Sequence, residues 1–207
     1  MKISVILSYL IISTASPLLA QNVHVNLGRQ ALMDGDFKTA VSHLEKACVI
    51  DSTNSNALWM LGYSYYHNQN YRKSIAAYTR VIAIKPADCM AYYYRARGKA
   101  YMAKDVQASV ADKEKWMLGA IVDFTKAINI DPSDMKYYQN RAIAYREYGV
   151  FKLTTANKAN DRARGINSLK ASIADLEKVL NDNPSRADIE ALLSLSKEKL
   201  ASAVGHH

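Results

Sequence analysis

Residues 55–88 read SNALWMLGYSYYHNQNYRKSIAAYTRVIAIKPAD, and this stretch decides the fold. Ala57, Leu58, Leu61, Gly62 and Tyr65 mark one helical stripe, spaced by three and four. Tyr71, Ser74, Ile75, Tyr78 and Val81 mark a second stripe. The polar run Asn68-Gln69-Asn70 separates them, and Pro86 closes the unit. The small residues Gly62 and Ser74 predict a close approach of the two helices. Leu61, Tyr71 and Tyr78 then fill the space around that contact. Each such ring or leucine contributes on the order of 1.5–3 kcal/mol once buried.

Working outward, the pattern recurs 34 residues upstream. Leu61-Gly62 answers Leu27-Gly28, and Gln69-Asn70-Tyr71 answers Gly35-Asp36-Phe37. Ser74 answers Ala40, and Tyr78 answers Leu44. A fixed period in this range means supersecondary units that bury their faces on one another. Downstream the spacing stretches. Pro86 to Pro132 is 46 residues and Pro132 to Pro184 is 52, so the third and fourth units are longer by 12 and 18. Four units follow, at 21–54, 55–88, 89–134 and 135–186. The first ends on Ser52 where the second has Pro86. In the third, Ala96 takes the first small position, and Ala120, Phe124, Ala127 and Pro132 complete its second helix. Arg97-Gly98-x-Ala100-Tyr101 also fits, shifted by two. That register puts Tyr101 in the core where the first puts Lys99. The fourth unit reads Arg141-Ala142-x-Ala144-Tyr145, then Ser172, Leu176, Val179 and Pro184.

Both insertions fall between the two helices of their unit, at roughly 103–117 and 150–166. They are rich in Ala, Lys, Asp and Asn and contain no Pro, which predicts lengthened helices in a projecting hairpin. The second carries Lys152, Lys158, Arg162 and Arg164 against Asp161. It reads either as a solvated helical extension or as a surface for an anionic partner. Asp123, Asp175 and Glu177 read as solvated charge on second-helix faces. After Pro184, Ser185 suits an N-cap. Ile189, Leu192, Leu193, Ser196 and Leu200 then form one stripe to about Ala201. A terminal helix of this kind covers the last open face of a repeat stack, so 187–207 is read as capping helix and tail.

This arrangement resembles the tetratricopeptide repeat family over nearly all of residues 21–186. The resemblance implies an all-α, right-handed α-solenoid of stacked antiparallel helix pairs with a C-terminal capping helix. It also implies an inner wall built from the first helix of each pair, where peptides or partner helices lie. Carrying the inward positions over gives Asn22, Val25, Arg29 and Met33, then Asn56, Trp59, Tyr63, Tyr66 and His67. The third unit gives Met90, Tyr93, Arg97 and Tyr101, and the fourth gives Lys136, Gln139, Ile143 and Arg146. Arg29, Asn56, Trp59, Tyr63, Tyr66, Tyr93, Arg97 and Arg146 are the groove candidates. Trp, Tyr and Arg are the residue types enriched in binding hot spots. Some family members clamp a C-terminal carboxylate with Lys and Asn. Here those positions hold Val25, Arg29, Met60, Met90 and Tyr94, so that clamp is not expected. An aromatic or acidic peptide fits better.

The 207 residues are 49% hydrophobic and 22% charged, enough for one folded domain. Tyr outnumbers Phe by 14 to 3, so many rings carry a polar tip toward water. The net charge of +8 is a modest excess. Residues 1–20 have the layout of a signal peptide. Met1-Lys2 precedes an apolar run from Ile3 to Ile12, and a cut fits after Ala20 or Ala15. The run is about half the roughly 20 residues that span a bilayer. The expectation is an exported chain, periplasmic or secreted, without a membrane span after cleavage and without a nucleic-acid partner. Cys48 and Cys89 are placed too far apart in the repeat scheme to bridge and read as separate thiols.

No catalytic constellation, phosphate-cradling glycine loop or metal-ligand spacing stands out, and no cofactor is expected. His24, His43 and His67 fall at separate helical positions, with His24 read as a packed core residue. The functional expectation is a non-catalytic scaffold that binds a protein or peptide of the cell envelope through its groove. The alternative is a carbohydrate or envelope-polymer binder. Self-association through the repeat faces is a further expectation.

Overall fold

A computed structural model describes residues 21–155 and 159–205. The expected signal peptide at 1–20, Lys158 and the last two residues lie outside them. The described residues form helices and connecting turns, with no strand among them. Helix α1 covers residues 21–33. It is followed by α2 (Phe37–Ile50), α3 (Ser55–His67), α4 (Tyr71–Ile84) and α5 (Cys89–Ala103). Then come α6 (Val110–Ile130), α7 (Met135–Thr154), α8 (Ala159–Asp182) and α9 (Ala187–Gly205). The pairs α1/α2, α3/α4, α5/α6 and α7/α8 are the four sequence units, and α9 packs on α8. The fold class is the all-α solenoid of helix pairs that the period predicted. Two compact units are distinguished, one up to Pro86 and one from Ala87 onward.

Local chemistry explains where six of the helices begin. Asp36, Asn54, Asn70, Asp88, Ser109 and Asp134 are N-caps whose side chains accept from a backbone N–H two or three residues on. Ser185 departs from its expected role. Its N–H and hydroxyl both bond to Asn183 Oδ1, and α9 begins at Ala187. The turns that reverse the chain within the first two pairs are also equivalent. Gly35 has φ of 75° and Gln69 has φ of 58°, both left-handed. Glycine adopts this region without cost, whereas glutamine is strained there. Gln69→Gly is therefore expected to raise stability by about 0.5–1 kcal/mol. Urea denaturation followed by circular dichroism would check this, and an unchanged midpoint would argue against strain at Gln69.

In unit 1, a Cβ built on Gly62 would stand 3.0 Å from the Tyr78 ring, and Ser74 Oγ donates to Gly62 O at 2.8 Å. Gly28 lies closer still against Leu44, where a Cβ would stand 2.6 Å from Cγ. Small residues at both contact positions thus bring the helices together as predicted. In unit 2, Phe124, Tyr137, Leu176, Val179 and Ile189 are among the most completely buried groups of the core. The third helix pair takes the Ala96 register. Ala96 is fully buried, Tyr101 is exposed, and Lys99 is held by Asp123.

The two insertions do lengthen helices. Helix α6 begins at Val110, after a turn over 104–109, and α7 runs on to Thr154 before α8 starts at Ala159. Gly149 of α7 and Gly165 of α8 meet at the base of this extension. A Cβ on either would stand 3.0 Å from the other's carbonyl oxygen.

Two carboxylates read as solvated are buried. Arg95 donates to both oxygens of Asp123 at 2.7 and 2.8 Å, and Lys99 donates at 2.7 Å. Arg141 makes the same forked contact with Asp175, at 2.8 Å to each oxygen. The burial follows from partners 24 to 34 residues away, which no local pattern reveals. Cys48 and Cys89 are both free thiols. Burial pushes the Cys48 thiol up from its ordinary range.

Candidate functional site

The groove candidates separate once placed on the helices. In unit 1, α3 presents rings one turn apart at 59, 63 and 67. Trp59 stacks on Tyr63 with centroids 5.6 Å apart and planes 13° from parallel. The Tyr63 ring lies 4.3 Å from His67, and His67 stacks on Phe37 of α2 at 4.7 Å and 18°. Trp59, Tyr63 and Phe37 are half-buried and His67 is exposed. The result is one aromatic ladder, with its ring faces turned largely toward one another. Tyr66 is not part of an open surface. It is buried, edge-on to Tyr71 and His67. Arg29 and Asn56 are exposed, and Asn56 Oδ1 accepts from Lys85 Nζ at 3.3 Å.

In unit 2, successive first helices α5 and α7 line a pocket of about 170 Å³. Arg97, Ala100 and Tyr101 form one wall, and Asn140, Ile143 and Ala144 form the other. Lys104 and Glu147 lie at one side and pair at 3.0 Å. Arg97 lies over the Tyr93 and Tyr94 rings, 5.5 and 5.8 Å from their centroids. Tyr93 itself is buried against Phe124 and Tyr137, so it forms the floor of the wall rather than its surface. Arg146 is half-buried, and its Nε is buried with no hydrogen-bond partner among the described residues. Sequence reasoning reached Arg97, Tyr101 and Ile143. It missed Lys104, Asn140 and Glu147. Asn140 sits one turn before Ile143 on the same helix face, a spacing that could have found it.

The second candidate surface is differently built from the basic patch that composition suggested. Lys152 is buried and pairs with Asp161 at 2.6 Å and with Glu114 at 3.1 Å. Its hydrogen bond to Asp161 holds the Lys152 ammonium above its ordinary pKa, and Glu114 adds to this against the cost of burial. Arg164 approaches the same two carboxylates at 3.5 and 4.0 Å. Tyr148 donates to Glu114 at 3.1 Å. Arg162 donates to Ala203 O at 2.7 Å and so ties α8 to the end of α9. Lys158 lies outside the described residues. Glu114 comes from the first insertion, so counting charges within 150–166 alone overstated the positive excess. The cluster joins the two insertions.

Residues 55–88 match the family model described as tetratricopeptide repeat, with the boundaries of the second sequence unit. No curated protein matches the chain in sequence. Among solved structures, MamA is similar with 23% identity and a TM-score of 0.56, over 76% of this chain and 79% of that one. MamA from Desulfovibrio magneticus RS-1 is 15% identical with a TM-score of 0.67, over 90% of each chain. The second TPR domain of human RPAP3, solved with an HSP70 peptide, is 14% identical with a TM-score of 0.53. That similarity covers 62% of this chain and 97% of the domain. Residues 55–88 thus match a tetratricopeptide repeat, and the chain shares the helix-pair fold of these solved structures, a fold that supports protein-interaction scaffolds in general.

Proposed function

We propose that this chain is an exported, non-catalytic scaffold that takes a peptide or protein segment on the exposed faces of its first helices, seated at the pocket between α5 and α7. One observation carries the reading: the pocket between α5 and α7, with apolar Ala100 and Ile143 on facing walls, a cation at Arg97 and an amide at Asn140. It has the size and mixed polarity to seat one side chain of a bound segment, with Arg97 favouring an acidic one. The ladder from Trp59 to His67 offers aromatic edges of the kind that anchor peptides. The carbohydrate alternative draws less support, because sugars stack on ring faces and these faces are stacked on each other. Export rests on the signal-peptide layout of residues 1–20. The partner is accordingly sought in the cell envelope.

A photo-crosslinking residue placed at Ile143 in the producing cell is expected to capture a protein partner. The same group at Val122, exposed on α6 and away from the pocket, is expected to capture none. Capture from position 122 alone would move the site to another face. The triple change Trp59→Ala, Tyr63→Ala, Arg97→Ala is expected to lower the captured yield about tenfold or more, with helical content retained. An unchanged yield would count against both the ladder and Arg97.

A further inference from the structure

The histidines that sequence placed apart include two that meet. His24 of α1 and His43 of α2 bring their Nδ1 atoms to 3.3 Å, with ring centroids 5.6 Å apart and planes tilted by 32°. Both rings are half-buried. Two imidazole nitrogens facing each other at this distance share one proton: one donates and the other accepts. We propose that the pair is also a clip for a divalent transition-metal ion, of the class that imidazole favours: Cu²⁺, Ni²⁺ or Zn²⁺.

The argument is one of bite. Two nitrogens at 2.0–2.1 Å from one ion stand about 3.3–3.4 Å apart at a tetrahedral angle, as for zinc, and about 2.8–3.0 Å apart at the right angle of a tetragonal copper or nickel site, so a closing of a few tenths of an ångström covers all three. His24 and His43 stand 3.3 Å apart, at the tetrahedral bite and slightly wider than the tetragonal one, so a modest turn of each ring converges both lone pairs on one ion. The shared proton moves to an Nε2, each imidazole stays neutral, and no other reactant is needed. Among the described residues no group of three or more His, Cys, Asp and Glu could hold a metal. The clip therefore supplies two ligands and leaves the other positions to water or to a donor from a bound partner. Copper should bind more tightly than nickel or zinc, following the usual order for nitrogen sites. Because the two rings belong to different helices, the ion fastens α1 to α2 and stabilises that pair by mass action.

Titration of the full chain with Cu²⁺ alone, by calorimetry and electron paramagnetic resonance, tests this. One ion per chain with two imidazole nitrogens is expected at micromolar concentration. His24→Gln and His43→Gln should each weaken it at least about tenfold, and the double change should add little. His206 and His207 form a second possible source of nitrogens. The site should therefore survive in H206Q/H207Q. A chain that binds no copper in this range overturns the proposal. So does binding that persists in H24Q and H43Q but vanishes in H206Q/H207Q. Should a histidine variant fail to fold, paramagnetic broadening in the unaltered chain decides: amide signals around 24 and 43 must broaden first.

Discussion

Gly165→Val is expected to destabilise the second unit by about 3 kcal/mol, at the upper end of what overpacking costs. A Cβ at this position would lie 3.0 Å from Gly149 O and 2.9 Å from Leu153 Cγ. The first of these is backbone, so no rotamer change relieves it. Valine adds two further methyl groups to the same space. Relief requires α7 and α8 to separate at the base of the extension, where Lys152, Asp161 and Glu114 also meet. Gly149→Val meets Gly165 O at 3.0 Å and Leu169 Cγ at 3.0 Å, and should cost a similar amount. The two changes should add poorly, because either one already opens the contact. Gly119→Ala is the matched control. Its new Cβ would meet the Lys99 methylenes at 3.2 Å, side chain and not backbone; Asp123 fixes only the far end of that chain, so a shift of a few tenths of an ångström suffices, and alanine gains about 1 kcal/mol of helix propensity. Chemical denaturation of the three variants checks the ranking. A loss below about 1 kcal/mol for Gly165→Val would mean that the glycine pair is not a close contact in solution.

The helix pairs were legible because their cause is local. Gly62, Ser74 and Tyr78 lie within 16 residues of one another, and period and residue size suffice to predict their contact. The polar turn at Asn68-Gln69-Asn70 was legible for the same reason, and Asn70 there caps α4. The Gly149–Gly165 contact was not, since the fourth unit departs from the period at that point and nothing in a single glycine says what it touches. The polar interior was hidden for a related reason. Asp123, Asp175, Lys152 and the His24–His43 pair each depend on partners 9 or more residues away, on other helices. Residue type alone places such groups in water. First-helix position placed Arg97 and Ile143 on the inward face, and both line the pocket between α5 and α7. It could not tell that Tyr66 and Tyr93 turn inward, because a tyrosine suits either environment.

Asp123→Ala should cost more than any surface change, about 3–5 kcal/mol. The carboxylate is nearly fully buried, while the Arg95 and Lys99 side chains keep only 16% and 17% of their exposure. Removing it leaves two cations pressed together in a poorly solvated place, with their shared anion gone. Asp123→Asn keeps the shape but not the charge, and should recover only part of the loss. If the cost is truly that of stranded cations, removing them should restore stability. The triple change Arg95→Leu, Lys99→Met, Asp123→Leu should therefore unfold near the wild-type midpoint, although it deletes every ion pair in the cluster. Arg141 and Asp175 repeat the arrangement in the next helix pair with one cation instead of two, so Asp175→Ala should cost less. The cluster also bears on the proposed binding. Lys99 and Arg95 anchor α5 to α6, and Arg97 and Tyr101 project from the same helix into the pocket. A restored but ion-free variant should keep its fold and also its capture yield at Ile143. Loss of capture in that stable variant would show that the charges tune the pocket, beyond holding the helix in place.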